Sequence, residues 1–394
     1  MSEIKVNSIK GVGASAAAIT VNNSDGTCTA NITNNLSNRR LTINGDMRIA
    51  QRGTSSTSTG VVAVDRVRTY HVSTDEAPTY SQVDVASGTT PYSLGLRKAY
   101  RVTNGNQTSG VAATNQIQLD YLVEAQDLAC SGWDHKSPSS FLTLSYWAKS
   151  SVAQEFKAQM RTVDGTPKNF AYSLGSLAAN TWTKVTILIP GNSNLQIDND
   201  NGTGLEIGLF SQWGTNLTAN SVSENAWGAY SGSARTPDQT LTWYTTNDAT
   251  FEITGVQLEV GSVATDFEHR SFGQELALCQ RYYYRVGLNQ GVYYGGDYGI
   301  GFTDNDNNNI YIRTEFPTQM RIAPTAVEQT GDAGEYKVRR DTTKTCSSVP
   351  TFSQATAWAA KTNFPSSGHG WGTATPVWGQ TGNSDSFLAW SAEL

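Results

Sequence analysis

From Tyr80 to Val260 the chain is a succession of short stretches in which apolar and polar residues alternate: YSQVDV, LGLRKAYRVT, QIQLDYLVE, SFLTLSYWAKS, EFKAQMRTV, TWTKVTILIP, GLEIGLFSQW, TLTWYTT and FEITGVQLEV. A period of two sends every second side chain to one face, the signature of a half-buried strand. Loops near Pro91, Gly105, Gly132, Gly165, Gly191, Gly214 and Gly232 space these stretches as in a single two-sheet sandwich. With 10% aromatic residues and 36 glycines, composition agrees, and the fold class expected is all-β. No internal repeat is visible, which argues against a β-helix or a propeller.

One stretch changes period. In Phe251–Arg285 a strand with a bulge at Gly255 is followed by a turn and then by Ser271-Phe-Gly-Gln274, which fits a helix capping box. Leu276, Cys279 and Tyr283 fall on one face of that short helix. This divides the chain into a sandwich over 41–270, a helical hinge over 271–285 and a small distal β domain over 286–394. The distal part opens with GVYYGGDYGIGFTDNDNNNIYIRTEF, read as strand, Asp/Asn-rich hairpin and strand, and it ends in FLAWSAEL. Residues 1–40 form a separate arm. Ile19 and Val21, then Cys28, Ala30 and Ile32, flank an Asp25-Gly26 turn and describe a hairpin. An arm of that size cannot bury enough surface to fold alone, so it is expected to dock on its own body, on a sister copy or on another protein.

A net charge of −6 with 16% charged residues supplies no basic field for tracking nucleic acid. Nowhere do about 18 consecutive apolar residues occur, and MSEIKVNSIKGVG lacks the apolar core of a signal peptide, so neither membrane insertion nor secretion is expected. Cys28, Cys130, Cys279 and Cys346 are far apart and read as free, mostly buried thiols. Arg48, Arg52, Arg66 and Arg68 punctuate neutral strands, and structural pairing with Asp46 and Asp65 is the expectation for them.

Catalytic constellations are missing. His71, His135, His269 and His369 show no metal-ligand spacing, there is no nucleophile elbow, and no phosphate loop precedes a helix. Glu155, Asp164, Glu206 and Glu252 could serve as a glycosidase pair only if the fold brought two of them together. DNDNGTG at Asp198 and DNDNNN at Asp304 offer oxygen donors for a structural calcium ion, but neither is a complete loop, and Asn/Asp turns account for both. No cofactor is expected. The sequence TDFEHR, with Asp266 and Glu268, reads as an ion-paired corner beside the hinge.

Binding a sugar needs flat apolar faces ringed by hydrogen-bonding groups. Trp133, Trp213, Trp227 and Tyr230 sit near loops among Asn, Ser and Gly, while Tyr293, Tyr294, Tyr298, Trp371 and Trp378 do so in the distal domain. These are the glycan-contact candidates. Trp147, Trp182 and Trp243 lie within predicted strands and are expected in the core.

Three blocks carry a family resemblance: LTINGDMRIAQRGTS with VDRVRTY, then QLEVGSVATDFEHRSFGQELALCQRYYYR, then FPTQMRIAPT. Together they resemble bacteriophage virion proteins, commonly tail-fibre or receptor-binding proteins. SEIKVNSIKGVGASAAAITVNN resembles the leader of appendage proteins in marine cyanobacterial phages. The resemblance implies a virion component made in the host cytoplasm, with a jelly roll similar to carbohydrate-binding modules, a distal β domain and a homotrimeric assembly. It further implies attachment to other tail or virion proteins through residues 1–40 and binding of host surface polysaccharide. The alternatives are a head or tail decoration without ligand and, third, a polysaccharide depolymerase.

Overall fold

The computed structural model describes residues 8–10, 19–21, 28–30, 39–287 and 297–394. Between Ser55 and Val260 the chain forms two six-stranded antiparallel sheets. In the first sheet the spatial order is Trp227–Ala229, Lys168–Leu177, Gln154–Thr162, Thr203–Trp213, Gln116–Glu124, Val67–Val72; in the second it is Thr183–Pro190, Phe141–Ser150, Thr250–Val260, Lys98–Thr103, Thr79–Asp84, Ser55–Ser56. Their inner faces share one apolar core, giving an all-β jelly-roll sandwich. At its centre Phe210 and Phe251 lie 4.4 Å apart, with Phe156 and Trp243 each 4.9 Å from one of them.

Bulges need help from side chains. Pairing of Thr203–Trp213 with its neighbour slips between Gly208 and Phe210. The buried hydroxyl of Tyr146 donates to the Leu209 carbonyl at 3.0 Å and that of Tyr172 to the Gly208 carbonyl, so the disturbed ladder leaves these two oxygens satisfied. In Thr250–Val260 the register shifts between Thr254 and Gln257, and Gly255 there has φ +66°, the conformation that favours glycine.

Two strand assignments differ from the sequence reading. TLTWYTT holds a helical turn, Thr242–Thr245, in which Trp243 and Tyr244 are both buried. Lys168–Leu177 is a full strand that the reading passed over, although Phe170, Tyr172 and Leu174 alternate into the core.

In the arm, Ile19–Val21 pairs with Cys28–Ala30 in the register Ile19↔Ala30 and Val21↔Cys28, and Ser8–Ile9 adds a third strand. The turn at Asp25-Gly26, Ile32 and the side chain of Cys28 lie outside the described residues. Of the other thiols, Cys279 and Cys346 are buried and Cys130 is exposed, all three unpaired by disulfides.

After the sandwich, Phe272–Gln280 is helical and starts with the full reciprocal capping box of Ser271 and Gln274. Cys279 is buried with Ile43, Ile49 and Tyr282, and Leu276 packs on this cluster. Tyr283 does not share the helical face. The helix ends at Gln280, and Tyr283 begins a strand, Tyr283–Val286, that pairs with the C-terminal Leu388–Ser391. The last residues thus return to the segment just after the helix, where the Tyr283 hydroxyl donates to Glu328 at 2.9 Å. A seven-stranded antiparallel sheet forms the rest: Thr343–Thr345, Tyr336–Arg339, Pro376–Thr381, Asp297–Thr303, Ile310–Glu315, Ala359–Asn363, Thr351–Ala355. Its core holds Tyr298, Ile312, Tyr336, Phe364 and Trp390.

Candidate functional site

On two strands of the sheet of residues 297–381, large apolar side chains face solvent. In DYGIGFT the glycines Gly299 and Gly301 take turns with Ile300 and Phe302, whose side chains are 59% and 55% exposed. In PVWGQT, Val377 and Gly379 are buried while Trp378 is 43% exposed. The glycines are required by a close approach. A Cβ on Gly301 would sit 1.8 Å from the Tyr311 carbonyl oxygen, and one on Gly379 would meet Ile312 at 3.0 Å. Ile312 and Phe364 fill the space so left on the core side, and the large side chains of the two central strands go to solvent.

Pairing register fixes what lies beside what. One row across five strands reads Arg339, Trp378, Ile300, Arg313, Lys361; the adjacent row reads Pro376, Phe302, Tyr311, Asn363. Directly opposed residues share a face, so both rows lie on the outer side of the sheet. An apolar strip of Trp378, Ile300, Phe302 and Tyr311 therefore runs over three neighbouring strands, about 10 Å across. Lys361 holds its ammonium 4.0 Å from the Tyr311 ring centre, and Arg313 pairs with Glu315 at 2.5 Å. Exposed apolar residues gathered in one patch mark interaction surfaces, whereas scattered ones do not.

The predicted aromatic contacts divide. Trp378 is in this strip. Tyr298 is buried between Tyr336 and Phe364, at 5.7 and 5.6 Å, and cannot stack on a ligand. Trp371 is half-buried against the distal core, 5.7 Å from His369. Tyr293 and Tyr294 lie outside the described residues. On the sandwich, Trp133 and Trp213 are buried, the first donating to the Ser140 carbonyl and the second to the Gln118 side chain, so neither offers a free ring face. Trp227 packs on Phe170 at 5.2 Å and donates to the Pro190 carbonyl, while Tyr230 is half-buried with Arg161 over its ring at 4.8 Å. Trp147 and Trp182, expected inside, are half-buried on the sandwich, and Lys149 stands 5.1 Å over Trp182. Trp243 is in the core as expected, but in the helical turn. Sequence reading missed Ile300, Phe302 and Tyr311; the signal was the alternation of glycine with large apolar residues, which places the small residue inside.

The four candidate acids do not converge. Glu206 lies between the core residues Leu205 and Ile207, and Glu252 between Phe251 and Ile253, so they point outward from opposite sheets of the sandwich. Glu206 is held by Arg161 at 2.8 Å and Arg68 at 3.1 Å, and Glu252 by Arg101 and Lys149, each at 2.7 Å. Beside Glu206, burial and then Glu206 itself raise the carboxyl of Asp120, which Arg68 contacts at 3.0 Å. Glu155 accepts from Ser173, and Asp164 accepts from the Asp198 amide. The Asp/Asn stretch after Asp304 is a turn, with the Asp306 carboxylate accepting the Asn308 and Asn309 amides. Among the described residues no three His, Cys, Asp or Glu side chains gather as a metal site, and no helix is long and apolar enough to cross a membrane.

Arginines of the first segment are used internally. Arg48 pairs with Asp46 at 2.9 Å, as expected, but Arg52 and Arg66 both reach Glu393, and Asp65 is held by Gln51. At the TDFEHR corner the Glu268 carboxylate accepts the backbone amides of Arg39 and Arg40, and Arg270 lies 3.7 Å from it. A cavity of about 850 Å³ opens there, lined by Arg39, Arg40, Glu268, Arg270 and Arg281 among others, with no Tyr or Trp in its wall. Its cations are partnered, Arg40 by Glu275 at 2.5 Å and Arg281 by Glu124 at 2.6 Å.

No protein-family model matches the chain, and no curated protein matches it in sequence. Solved structures to which it is similar include the enzymatically active domain of tailspike protein 4 from bacteriophage CBA120, with 10% identity and a TM-score of 0.29 over 56% of this chain and 21% of that one. The match thus spans about a fifth of the tailspike chain. A putative sugar binding protein from Bacteroides thetaiotaomicron matches at 10% identity and TM-score 0.31, over 57% of this chain and all of that one. A family 11 carbohydrate-binding module from Clostridium thermocellum matches at 13% and 0.24, over 51% and 91%. Likeness at these scores transfers neither ligand nor reaction nor assembly.

Proposed function

We propose that the protein is a non-catalytic bacteriophage virion component, a short tail fibre that adsorbs to glycans of the host surface through the outer face of its distal sheet. The observation that carries this reading is the strip of exposed Ile300, Phe302 and Trp378 with half-buried Tyr311 beside them, on strands where Gly301 and Gly379 take core positions. Aromatic and apolar side chains on a rigid sheet suit the C–H face of a pyranose ring. Residues 1–40 attach the protein to other virion proteins, and the sandwich is the body. A homotrimer presents several weak sites together, raising strength through effective concentration.

The test uses phage particles carrying Trp378→Ala. Adsorption lost from particles that still assemble supports the fibre; unchanged adsorption supports the reading as a decoration protein. Mass photometry of the chain with and without residues 1–40 checks the assembly, with a trimer expected for the full chain and a monomer counting against it.

A further inference from the structure

We infer that Asn201 is a site of covalent modification, at which the folded protein converts its own asparagine into aspartate and isoaspartate. Three asparagines of the chain precede a glycine: Asn44, Asn104 and Asn201. Closing an asparagine side chain onto the next main-chain nitrogen needs an unhindered nitrogen, and glycine, with no Cβ, hinders it least. The side chain must also be able to swing, and water must reach it.

Two of the three are locked. Asn44 is fully buried, its amide donating to the Ile49 carbonyl at 2.9 Å and the Asp65 carbonyl at 3.0 Å while its oxygen accepts the Ile49 amide. Asn104 is buried too, and donates to the Tyr244 and Thr246 carbonyls at 2.7 and 3.0 Å. Asn201 is exposed, and among the described residues its side chain makes one bond, to the Arg321 carbonyl at 3.2 Å. The Gly202 amide donates to the exposed Asp200 carboxylate at 2.8 Å. A bond so open to solvent exchanges readily with water, which frees the nitrogen.

In the reaction the Gly202 nitrogen attacks Cγ of Asn201 and a C–N bond forms. The side-chain nitrogen leaves as ammonia, taking the proton that the Gly202 nitrogen gives up. Water then adds to either carbonyl of the cyclic imide, and opening one or the other C–N bond leaves aspartate or isoaspartate. No oxidant, reductant or cofactor takes part. The place matters because Arg321 donates to the Asn201 main-chain carbonyl at 2.6 Å and to the carbonyls of Ala392 and Glu393, tying this loop of the sandwich to the residues after the last strand. Conversion removes the N–H that Asn201 gives to Arg321 and adds a negative charge next to Asp200.

Peptide mapping by mass spectrometry, with isoaspartate methyltransferase labelling, tests the inference on folded full-length protein kept at mildly alkaline and at mildly acidic pH. The peptide carrying Asn201 should lose its amide and take up label, faster at the alkaline pH, while those carrying Asn44 and Asn104 keep their amides. Gly202→Ala should slow the conversion roughly ten-fold or more with an unchanged thermal midpoint. An Asn201 amide that survives in the folded protein but is lost from the urea-unfolded chain overturns the inference. So does conversion at Asn44 or Asn104 as fast as at Asn201, or conversion of Gly202→Ala at the parent rate.

Discussion

Arg66 donates to Glu393 at 2.5 Å, joining the start of the sandwich to the second-last residue of the chain. The guanidinium is almost wholly buried, donates also to the Leu122 carbonyl at 2.7 Å, and lies 3.5 Å over the Tyr282 ring. Arg52 repeats the arrangement with Glu393 at 3.2 Å and Tyr283 at 3.5 Å. Nearby, Arg281 and Tyr282 both donate to Glu124 of the sandwich. The sandwich, the segment after helix Phe272–Gln280 and the C-terminal strand meet in this one network of buried charge.

Breaking it from one side leaves an uncompensated charge. Arg66→Ala should cost about 3–5 kcal/mol, measured by chemical denaturation, because Glu393 is left with Arg52 alone in a partly buried place. Arg66→Ala combined with Glu393→Gln should recover part of that loss; a double variant no better than the single one would show that the stacking on Tyr282, and not the charge, matters.

Asp65 is almost wholly buried with its carboxylate on Gln51, and burial pushes its carboxyl up from 3.8 to about 6. A raised folded-state value means that this group's stabilisation is complete below about 3.8 and is lost as pH rises through about 6. The contribution is on the order of 3 kcal/mol at most. Unfolding free energies of Asp65→Asn should therefore decline less than those of the parent between pH 4 and about pH 6. Parallel curves would exclude Asp65 as the source.

The Ser271 hydroxyl accepts the Gln274 amide at 3.3 Å and Gln274 returns the bond to the Ser271 backbone at 3.0 Å. Ser271→Ala should cost about 1 kcal/mol and Ser271→Asp much less, read as shifts in the thermal midpoint.

Glycine matters where the backbone is approached. Gly301→Ala should unfold the distal sheet, since its Cβ has no room against the Tyr311 carbonyl. Gly273→Ala, in the exposed first turn of the helix with nothing within 4 Å of the added carbon, should be neutral or stabilise by about 0.5–1 kcal/mol. Near-ultraviolet circular dichroism of the two variants separates the cases.

The all-β class and the capped helix at Ser271 were legible because both are local: alternation and capping act over a few residues. Tyr283 was misread because helical spacing continues in the sequence after the helix has ended, and pairing with Ser391 more than a hundred residues away makes it a strand. Arginine partners were half legible. Asp46 lies two residues from Arg48, whereas Glu393 lies 327 from Arg66.

By itself, then, the sequence determined that this chain alternates, where its strands turn, and that a short helix interrupts them. Only the tertiary structure decided which side of each distal strand is the inside. A period of two is symmetric between the faces of a sheet, so hydropathy alone would put Ile300 and Phe302 in the core. The close approach of neighbouring strands at Gly301 and Gly379, with Ile312 filling the gap, turns those strands over and leaves the aromatic strip in water.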